Sequence, residues 1–98
     1  MAKGDSKRAV NEALTLFHRR WVLRIIWELR GEALNFRQLQ EAAGGLSASV
    51  LNRRLQELRD AALVSHDAGG YQLTPIGRDL IVAFDPLMRW SARWLKAR

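Results

Sequence analysis

The segment Gly44–Val64 constrains the fold of this chain more than any other part of the sequence. A glycine pair precedes Ser47, a residue type that caps helix N-termini. Leu51, Leu55 and Leu58 then recur at the spacing of one helix face. The segment therefore predicts a capped amphipathic helix that packs its leucines on a core and then leads into a strand.

The opposite face of this predicted helix carries polar side chains with almost no acid among them. They are Ser49, Asn52, Arg53, Gln56 and Arg59. Hydrogen-bond donors of this kind bind base edges and phosphate oxygens, whereas a merely solvated helix face usually mixes Glu with Lys. The pattern indicates a helix that recognises DNA. On the other face, we expect Ala62 to extend the apolar stripe of leucines.

Length and charge agree with that interpretation. With 98 residues the chain is expected to form one domain over residues 1–98, with a single modest core. The formal net charge of +6 favours a polyanionic partner, because phosphate contacts release counterions. We expect no metal or other cofactor, since cysteine is absent and the two histidines, His18 and His66, have no second ligand at a useful spacing.

The same features predict where the protein resides. No apolar run approaches the roughly 20 residues that span a bilayer, and the polar start MAKGDSKRAV has no apolar signal-peptide core. We therefore expect a cytoplasmic, nucleoid-associated protein with no membrane partner.

Helices are predicted on both sides of the central one. After frayed residues 1–5, Ser6 is the expected N-cap of a first helix, and a second, the most buried, is expected over Trp21–Leu29 and to end by Gly31. Asn35 is the expected N-cap of a third helix, and the tight glycine turn that follows gives a helix-turn-helix over residues 35–61.

The second half of the chain predicts a hairpin and a long helix. Two short runs of strand character flank Ala68-Gly69-Gly70, which predicts a β-hairpin, or wing, over residues 64–73. Thr74-Pro75 opens a helix over residues 75–96 that Pro86 should kink. The predicted fold class is mainly α with a small β-hairpin (α+β): a winged helix-turn-helix with N- and C-terminal dimerisation helices.

The order and spacing of these segments resemble the HxlR family of bacterial winged-helix regulators, which is related to the MarR family. The resemblance covers nearly the whole chain from about residue 8. Its matching stretches are EAL at Glu12–Leu14, RW at Arg20–Trp21, NFRQLQEA at Asn35–Ala42, LSASVLNRRLQELRDAALV at Leu46–Val64, YQLTPIGRDL at Tyr71–Leu80 and DPLMRWSARWL at Asp85–Leu95.

The chain departs from this family at several positions. Many members carry a cysteine early in the first helix, which some use to sense oxidants or electrophiles, but Arg8 stands there in this chain. His18-Arg19 replaces the family's glycine pair before the tryptophan, and Ser49 stands where a basic residue is common. The wing has no Arg or Lys, so a minor-groove arginine at its tip is not expected.

The last predicted helix has more apolar surface than so small a core can cover, which suggests an interface. The resemblance implies a homodimer built from the terminal helices, and the alternative is that the aromatic residues only cap the monomer core. The expected interface residues are Val10, Leu14, Phe84, Leu87, Met88, Trp90 and Trp94. A two-fold dimer would place two recognition helices about 34–36 Å apart and favour inverted-repeat sites.

Arg53 is the strongest candidate for a base or phosphate contact, because arginine pairs bidentately with guanine. Arg54, between the two helix faces, is expected to pair with Glu57 or Glu28 as structural support. The predicted DNA-binding residues are Arg37, Gln38, Ser47, Ser49, Asn52, Arg53 and Gln56.

The sequence thus predicts a regulator that binds specific double-stranded DNA as a homodimer, with repression as the default and activation left open. The alternative is a winged-helix module that binds a protein partner and has little specific affinity for DNA. An enzyme is the weakest reading, because no nucleophile–base pair or phosphate-binding loop is present. A cleft between Phe17, Trp21 and the last helix is a candidate site for a small aromatic effector.

Overall fold

A buried seven-residue helix lies at the centre of the fold, and the other elements pack around it. The computed structural model describes residues 3–98. In chain order its elements are α1 (Lys3–His18), α2 (Val22–Glu28), α3 (Phe36–Ala43), α4 (Ala48–Asp60), β1 (Val64–Asp67), β2 (Gly70–Leu73) and α5 (Pro75–Ala97). The predicted fold class, a mainly helical winged helix-turn-helix with a small hairpin, is confirmed.

Helix α2 is apolar on nearly every side, as expected of a central helix. Val22, Ile25 and Ile26, and Leu29 just after the helix, are completely buried. The other elements each contribute to the same core. Their buried apolar residues are Leu39, Ala43, Leu46, Leu51, Leu55, Leu58, Val64, Tyr71, Leu73 and Phe84.

The limits of α2 differ from the predicted range 21–29. Trp21 is the N-cap residue, with a left-handed backbone conformation at φ 79°, and it is half-buried. The helix ends at Glu28, before Gly31, because Leu29 already leaves the helical conformation. Trp21 therefore belongs to the joint between α1 and α2 and not to a continuous apolar stripe.

Helix α1 begins earlier than predicted and projects from the core. It starts at Lys3, so residues 3–5 are helical where fraying was expected, and Ser6 is not its N-cap. Residues 1 and 2, the rest of the predicted frayed end, lie outside the described residues. Val10 is 56% and Leu14 60% exposed, because α1 reaches the core only near its end, through half-buried residues such as Phe17.

The helix-turn-helix is formed by α3, a glycine turn and α4. Gly44 and Gly45 both have positive φ, at 74° and 96°, which favours glycine in this turn. Ser47 caps α4, since its Oγ accepts a hydrogen bond from the Val50 backbone N–H at 3.2 Å. Ala62 does not extend the leucine stripe, because it lies beyond the end of α4, exposed and with φ 63°.

The hairpin is attached to the helix-turn-helix through Leu34, the residue before the N-cap of α3. Strands β1 and β2 pair antiparallel with Val64 opposite Leu73. The Tyr71 N–H donates to the Leu34 carbonyl at 2.7 Å, and the Leu34 N–H donates back to the Tyr71 carbonyl at 3.0 Å. Gly70 allows this approach, because at its φ of 113° a Cβ would lie 2.6 Å from the Leu34 oxygen.

The start of α5 is bonded to the connection between α4 and the hairpin. The Thr74 hydroxyl donates to the Ala62 carbonyl at 2.7 Å and accepts from the Gly77 N–H at 3.1 Å, while the Thr74 N–H donates to the Leu63 carbonyl at 3.0 Å. The Leu63 carbonyl also lies directly against Gly77, where a Cβ does not fit. From this joint α5 continues through Pro86 to Ala97.

We predict that Gly77→Ala destabilises the fold. Alanine in a helix is normally more favourable than glycine by about 1 kcal/mol, but here its methyl group would collide with the Leu63 carbonyl. Overpacking of this kind costs about 1–3 kcal/mol. The free energy of unfolding, measured by chemical denaturation, should fall by about that amount.

Gly31→Ala is the matched control, because a Cβ at Gly31 meets no atom within 4 Å. Its stability should stay close to that of the wild type. Equal stability of the two variants would contradict the steric argument.

Candidate nucleic-acid interface

Helix α4 presents its polar face to solvent while its leucines fix the opposite face. Leu51, Leu55 and Leu58 are at most 1% exposed, which holds the helix firmly on the core. The outer side chains are exposed. They are Ser47, Ser49, Asn52, Arg53, Gln56 and Arg59.

Arg53 is the best-placed cation on this face. Within residues 3–98, no carboxylate oxygen lies within 4.0 Å of its guanidinium group. Asn52, beside it, is also exposed and makes no side-chain hydrogen bond to another described residue. Both side chains are therefore available to a ligand without first breaking an internal interaction.

The other predicted contacts on α4 are partly occupied. Ser47 Oγ caps the helix and lies 3.4 Å from Ser49 Oγ. The Gln56 amide donates to Asp60 at 2.9 Å, so the face ends in a carboxylate that the sequence pattern did not emphasise. Gln56 must exchange that bond before it can contact a phosphate or a base.

The start of α3 is also built around internal bonds. Gln38 forms a capping box with Asn35, in which the Gln38 N–H donates to Asn35 Oδ1 at 2.8 Å and the Asn35 N–H donates to Gln38 Oε1 at 2.9 Å. Arg37 lies 3.4 Å from Glu41, but both side chains are largely exposed, at 88% and 71%. Such a surface pair is weak, so Arg37 can exchange Glu41 for a phosphate at little cost.

A cluster of charged side chains holds α4 against the joint between α1 and α2. The half-buried Arg54 guanidinium donates to both carboxylate oxygens of Glu57, at 3.0 and 3.1 Å, and through Nε to the Arg20 carbonyl at 2.9 Å. The expected support role of Arg54 is confirmed, with Glu57 as its partner, while Glu28 pairs with Arg24 at 3.1 Å.

Arg19 also binds Glu57, at 3.1 Å. Sequence reasoning missed this contact because the two residues are 38 positions apart and no local spacing connects them. The i, i+3 spacing of Arg54 and Glu57, in contrast, is visible in the sequence.

The hairpin contributes no Arg or Lys side chain to this surface. Asp67 closes its turn, accepting hydrogen bonds from the Gly69 N–H at 2.8 Å and from the Gln72 amide at 3.1 Å. His66 stacks on Tyr71 with ring centroids 3.9 Å apart. Beside these groups the wing offers a phosphate backbone small neutral polar groups and the carboxylate of Asp67, which a phosphate would repel.

Most of the residues predicted for a dimer interface are exposed, but Phe84 is not. Phe84 is 7% exposed and packs edge to face on Phe17, with centroids 5.9 Å apart, so placing it in the interface was wrong: it closes the monomer core. Trp90 and Trp94 stack on each other at 5.7 Å and remain about half exposed. The other exposed members are Val10, Leu14, Leu87 and Met88.

An apolar groove of about 270 Å³ lies between α1 and α5. Its lining residues are Ala13, Leu16, Phe17, Leu63, Ile76, Asp79, Leu80 and Ala83. Phe17 lines this groove, as predicted for an effector cleft. Trp21 does not line it, because Trp21 lies at the joint before α2.

Across residues 3–98, no three His, Cys, Asp or Glu side chains come together as metal ligands would. No helix in that range is both long enough and apolar enough to cross a membrane.

Comparison with known proteins places this architecture in a family. Residues 16–98 match the model of the HxlR-like helix-turn-helix family. The HTH-type transcriptional regulator YvaP of Bacillus subtilis is 28% identical over 91 residues, which cover 86% of this chain and 84% of YvaP. An HTH-type transcriptional regulator of Methanocaldococcus jannaschii is 28% identical over 80 residues, which cover 78% of this chain and 76% of the relative.

A solved structure supports the same assignment. The crystal structure of quinone-bound YodB from B. subtilis superposes with a TM-score of 0.82 at 27% identity, covering 88% of this chain and 98% of YodB. Fold, family match and relatives agree with the exposed polar face of α4. The chain belongs to the HxlR-like helix-turn-helix family of DNA-binding transcriptional regulators.

Proposed function

We propose that this protein binds a specific inverted-repeat sequence in double-stranded DNA as a homodimer and represses transcription by occluding polymerase. The observation that carries the proposal is the outer face of α4, where exposed Asn52 and Arg53 project from a helix that three buried leucines hold in place. A recognition helix must be rigid on one face and unpaired on the other, and α4 meets both requirements.

In this proposal α4 enters the major groove, N-terminal end first. Arg53 donates two hydrogen bonds to a guanine, which is the commonest specific contact in such interfaces. Asn52 pairs with a neighbouring base edge, and Ser47 and Ser49, at the start of the helix, contact a base edge or phosphate. Gln56, which is held by Asp60, contributes a backbone contact when that bond exchanges.

The first turn of α3 supplies a phosphate contact on the other side of the glycine turn. Arg37 is exposed and only weakly paired, so it can neutralise a phosphate. The Gln38 side chain serves mainly to cap α3, and the remaining amide hydrogens are free to donate to the backbone.

The exposed apolar side chains of α1 and α5 support the dimer. Val10, Leu14, Trp90 and Trp94 are each about half exposed or more, an arrangement that costs free energy unless a partner covers it. In a two-fold dimer formed through these helices, the two α4 helices lie in successive major grooves, about 34–36 Å apart.

The groove between α1 and α5 is a candidate site for a small aromatic effector. YodB, a structural relative, has been crystallised with a quinone. In this chain an aromatic ligand would pack on Phe17 and Leu80 without a thiol adduct, because the chain has no cysteine.

A second candidate function is a winged-helix module that binds a protein and has little specific affinity for DNA. The absence of Arg and Lys from residues 64–73 favours it, since a wing usually steadies the DNA backbone. This candidate predicts DNA affinity that stays at non-specific levels and depends little on Arg53.

We predict that Arg53→Ala lowers the sequence preference. Duplexes selected from genomic fragments should bind the wild type at least about a thousandfold more tightly than scrambled DNA. Loss of a bidentate arginine–guanine pair should remove about 1–3 kcal/mol of that preference. Titration of both duplexes with wild type and variant, at two salt concentrations, measures it.

Arg93→Ala serves as the control, because Arg93 is another exposed helical arginine without a carboxylate within 4.0 Å in the described chain. This substitution should weaken binding to both duplexes slightly and by the same factor. Weak binding by the wild type without preference, unchanged in Arg53→Ala, would instead support the protein-binding module.

We predict that Trp94→Asp dissociates the dimer. A carboxylate at the centre of an apolar interface removes an aromatic anchor worth about 2 kcal/mol or more, which raises the dimer dissociation constant about thirtyfold or more. Sedimentation equilibrium at micromolar concentrations should show a dimer for the wild type and a monomer for the variant.

Ala92→Asp is the matched control. Ala92 is exposed and lies about 200° round α5 from both Trp90 and Trp94, so Ala92→Asp adds the same charge away from the tryptophan pair. A monomeric wild type, or a Trp94→Asp variant that stays dimeric, would contradict this interface.

A further inference from the structure

The joint between α1 and α2 carries an exposed cation that the helix-turn-helix does not account for. Arg20 is exposed, and within residues 3–98 no carboxylate oxygen lies within 4.0 Å of its guanidinium. Its neighbour Arg19 is bound to Glu57, and Arg54 is bound to the same carboxylate. Of these three arginines, Arg20 is the one that pairs with no carboxylate of the described residues.

The Arg20 side chain is also held in place. Its Cζ lies 5.2 Å from the centroid of the Trp21 ring, within the range of a cation–π contact. Its backbone carbonyl accepts the 2.9 Å hydrogen bond from Arg54 Nε, which ties this residue to α4. A cation fixed in this way loses less conformational freedom when it binds a ligand.

The helical geometry of α4 places this joint beside the DNA-contacting face. Successive residues turn by about 100°, so Glu57 is only about 40° round the helix from Arg53, and Arg54 about 100°. Glu57 binds Arg19 of the joint, and Arg54 binds the Arg20 carbonyl. The joint therefore flanks the outer face of α4 on the side where Arg53 lies.

A helix in the major groove has a phosphate strand along each side, because the groove is about 12 Å wide and is bounded by both backbones. The geometry points to Arg20 as a further DNA contact: we propose that it binds a backbone phosphate beside the groove that α4 enters. This inference rests on the proposed function, and it assigns Arg20 a positioning role without base specificity.

The charge of Arg20 matters because the usual source of flanking phosphate contacts is missing. The wing has no Arg or Lys, so it cannot neutralise a phosphate through either side chain. The joint between α1 and α2 supplies such a cation beside α4.

The experiment measures the salt dependence of binding for Arg20→Gln. Each neutralised phosphate contributes about 0.9 to the slope of log affinity against log salt concentration on B-DNA. Because the proposed homodimer carries two Arg20 side chains, Arg20→Gln should lower that slope by about 1.8 on both the selected and the scrambled duplex. The affinity gap between wild type and variant should accordingly shrink about twelvefold between about 50 and 200 mM salt.

Arg30→Gln is the matched control, since Arg30 also stacks on a tryptophan, with its Cζ 4.0 Å from the Trp27 ring centroid, but at the other end of α2. Arg30→Gln removes the same charge and should leave the slope at its wild-type value. Arg20→Lys keeps a positive charge at position 20 and should also have the wild-type slope. Thermal unfolding of each variant checks that the fold is intact.

The outcomes separate this inference from the proposed function. A wild type without sequence preference would overturn specific recognition, and the slopes on scrambled DNA would still decide the role of Arg20. A wild-type slope in Arg20→Gln, or an equal change in Arg30→Gln, would overturn the Arg20 contact while leaving recognition by α4 intact.

Discussion

The close approach of Gly77 to the Leu63 carbonyl is the constraint on which the arrangement of the functional elements depends. At this point α4 has just ended, the hairpin is about to begin, and α5 starts, so three elements are fixed relative to one another within a few residues. Thr74 completes the joint with its hydrogen bonds to Ala62 and Leu63. The direction of the recognition helix is consequently coupled to that of the long helix proposed for dimerisation. In the proposed homodimer, two α4 helices can match two half-sites only if this coupling is rigid.

The recognition helix is held at a second place by charge. Glu57 gathers Arg54 and Arg19, and Arg54 also binds the Arg20 carbonyl, so α4 is bonded to the α1–α2 joint as well as packed through its leucines. The Arg54 side chain is only 16% exposed, and an ion pair that is largely shielded from water is screened less than one on the surface. Packing on one side and these bonds on another leave α4 little freedom to rotate. The outer face can therefore present Asn52 and Arg53 in a fixed orientation.

Much of this could be predicted from the sequence, and the failures have physical causes. The leucine spacing of α4, the Ser47 and Asn35 caps and the Thr74-Pro75 start are local signals, and the structure contains each of them. Tertiary contacts decided the remainder. Phe84 belongs to the same apolar helix as Trp90 and Trp94, and no local spacing reveals that Phe84 packs on Phe17. Likewise Ala62 has the spacing of the leucine stripe, but the Thr74 hydroxyl binds its carbonyl in a turn outside the helix.

The distribution of arginine around α4 follows from what the wing lacks. A protein that binds DNA gains much of its affinity by neutralising phosphates, and residues 64–73 contain no Arg or Lys with which to do so. The cations that remain near α4 come from helices and from the joint between them: Arg37 at the start of α3, Arg53 on α4 and Arg20 before α2. Those elements belong to the packed core region, whereas a hairpin tip is usually more mobile. Cations on packed helices extend less far than cations on a hairpin tip would, but they are held more firmly. The same is true of α4, which is itself fixed at two places.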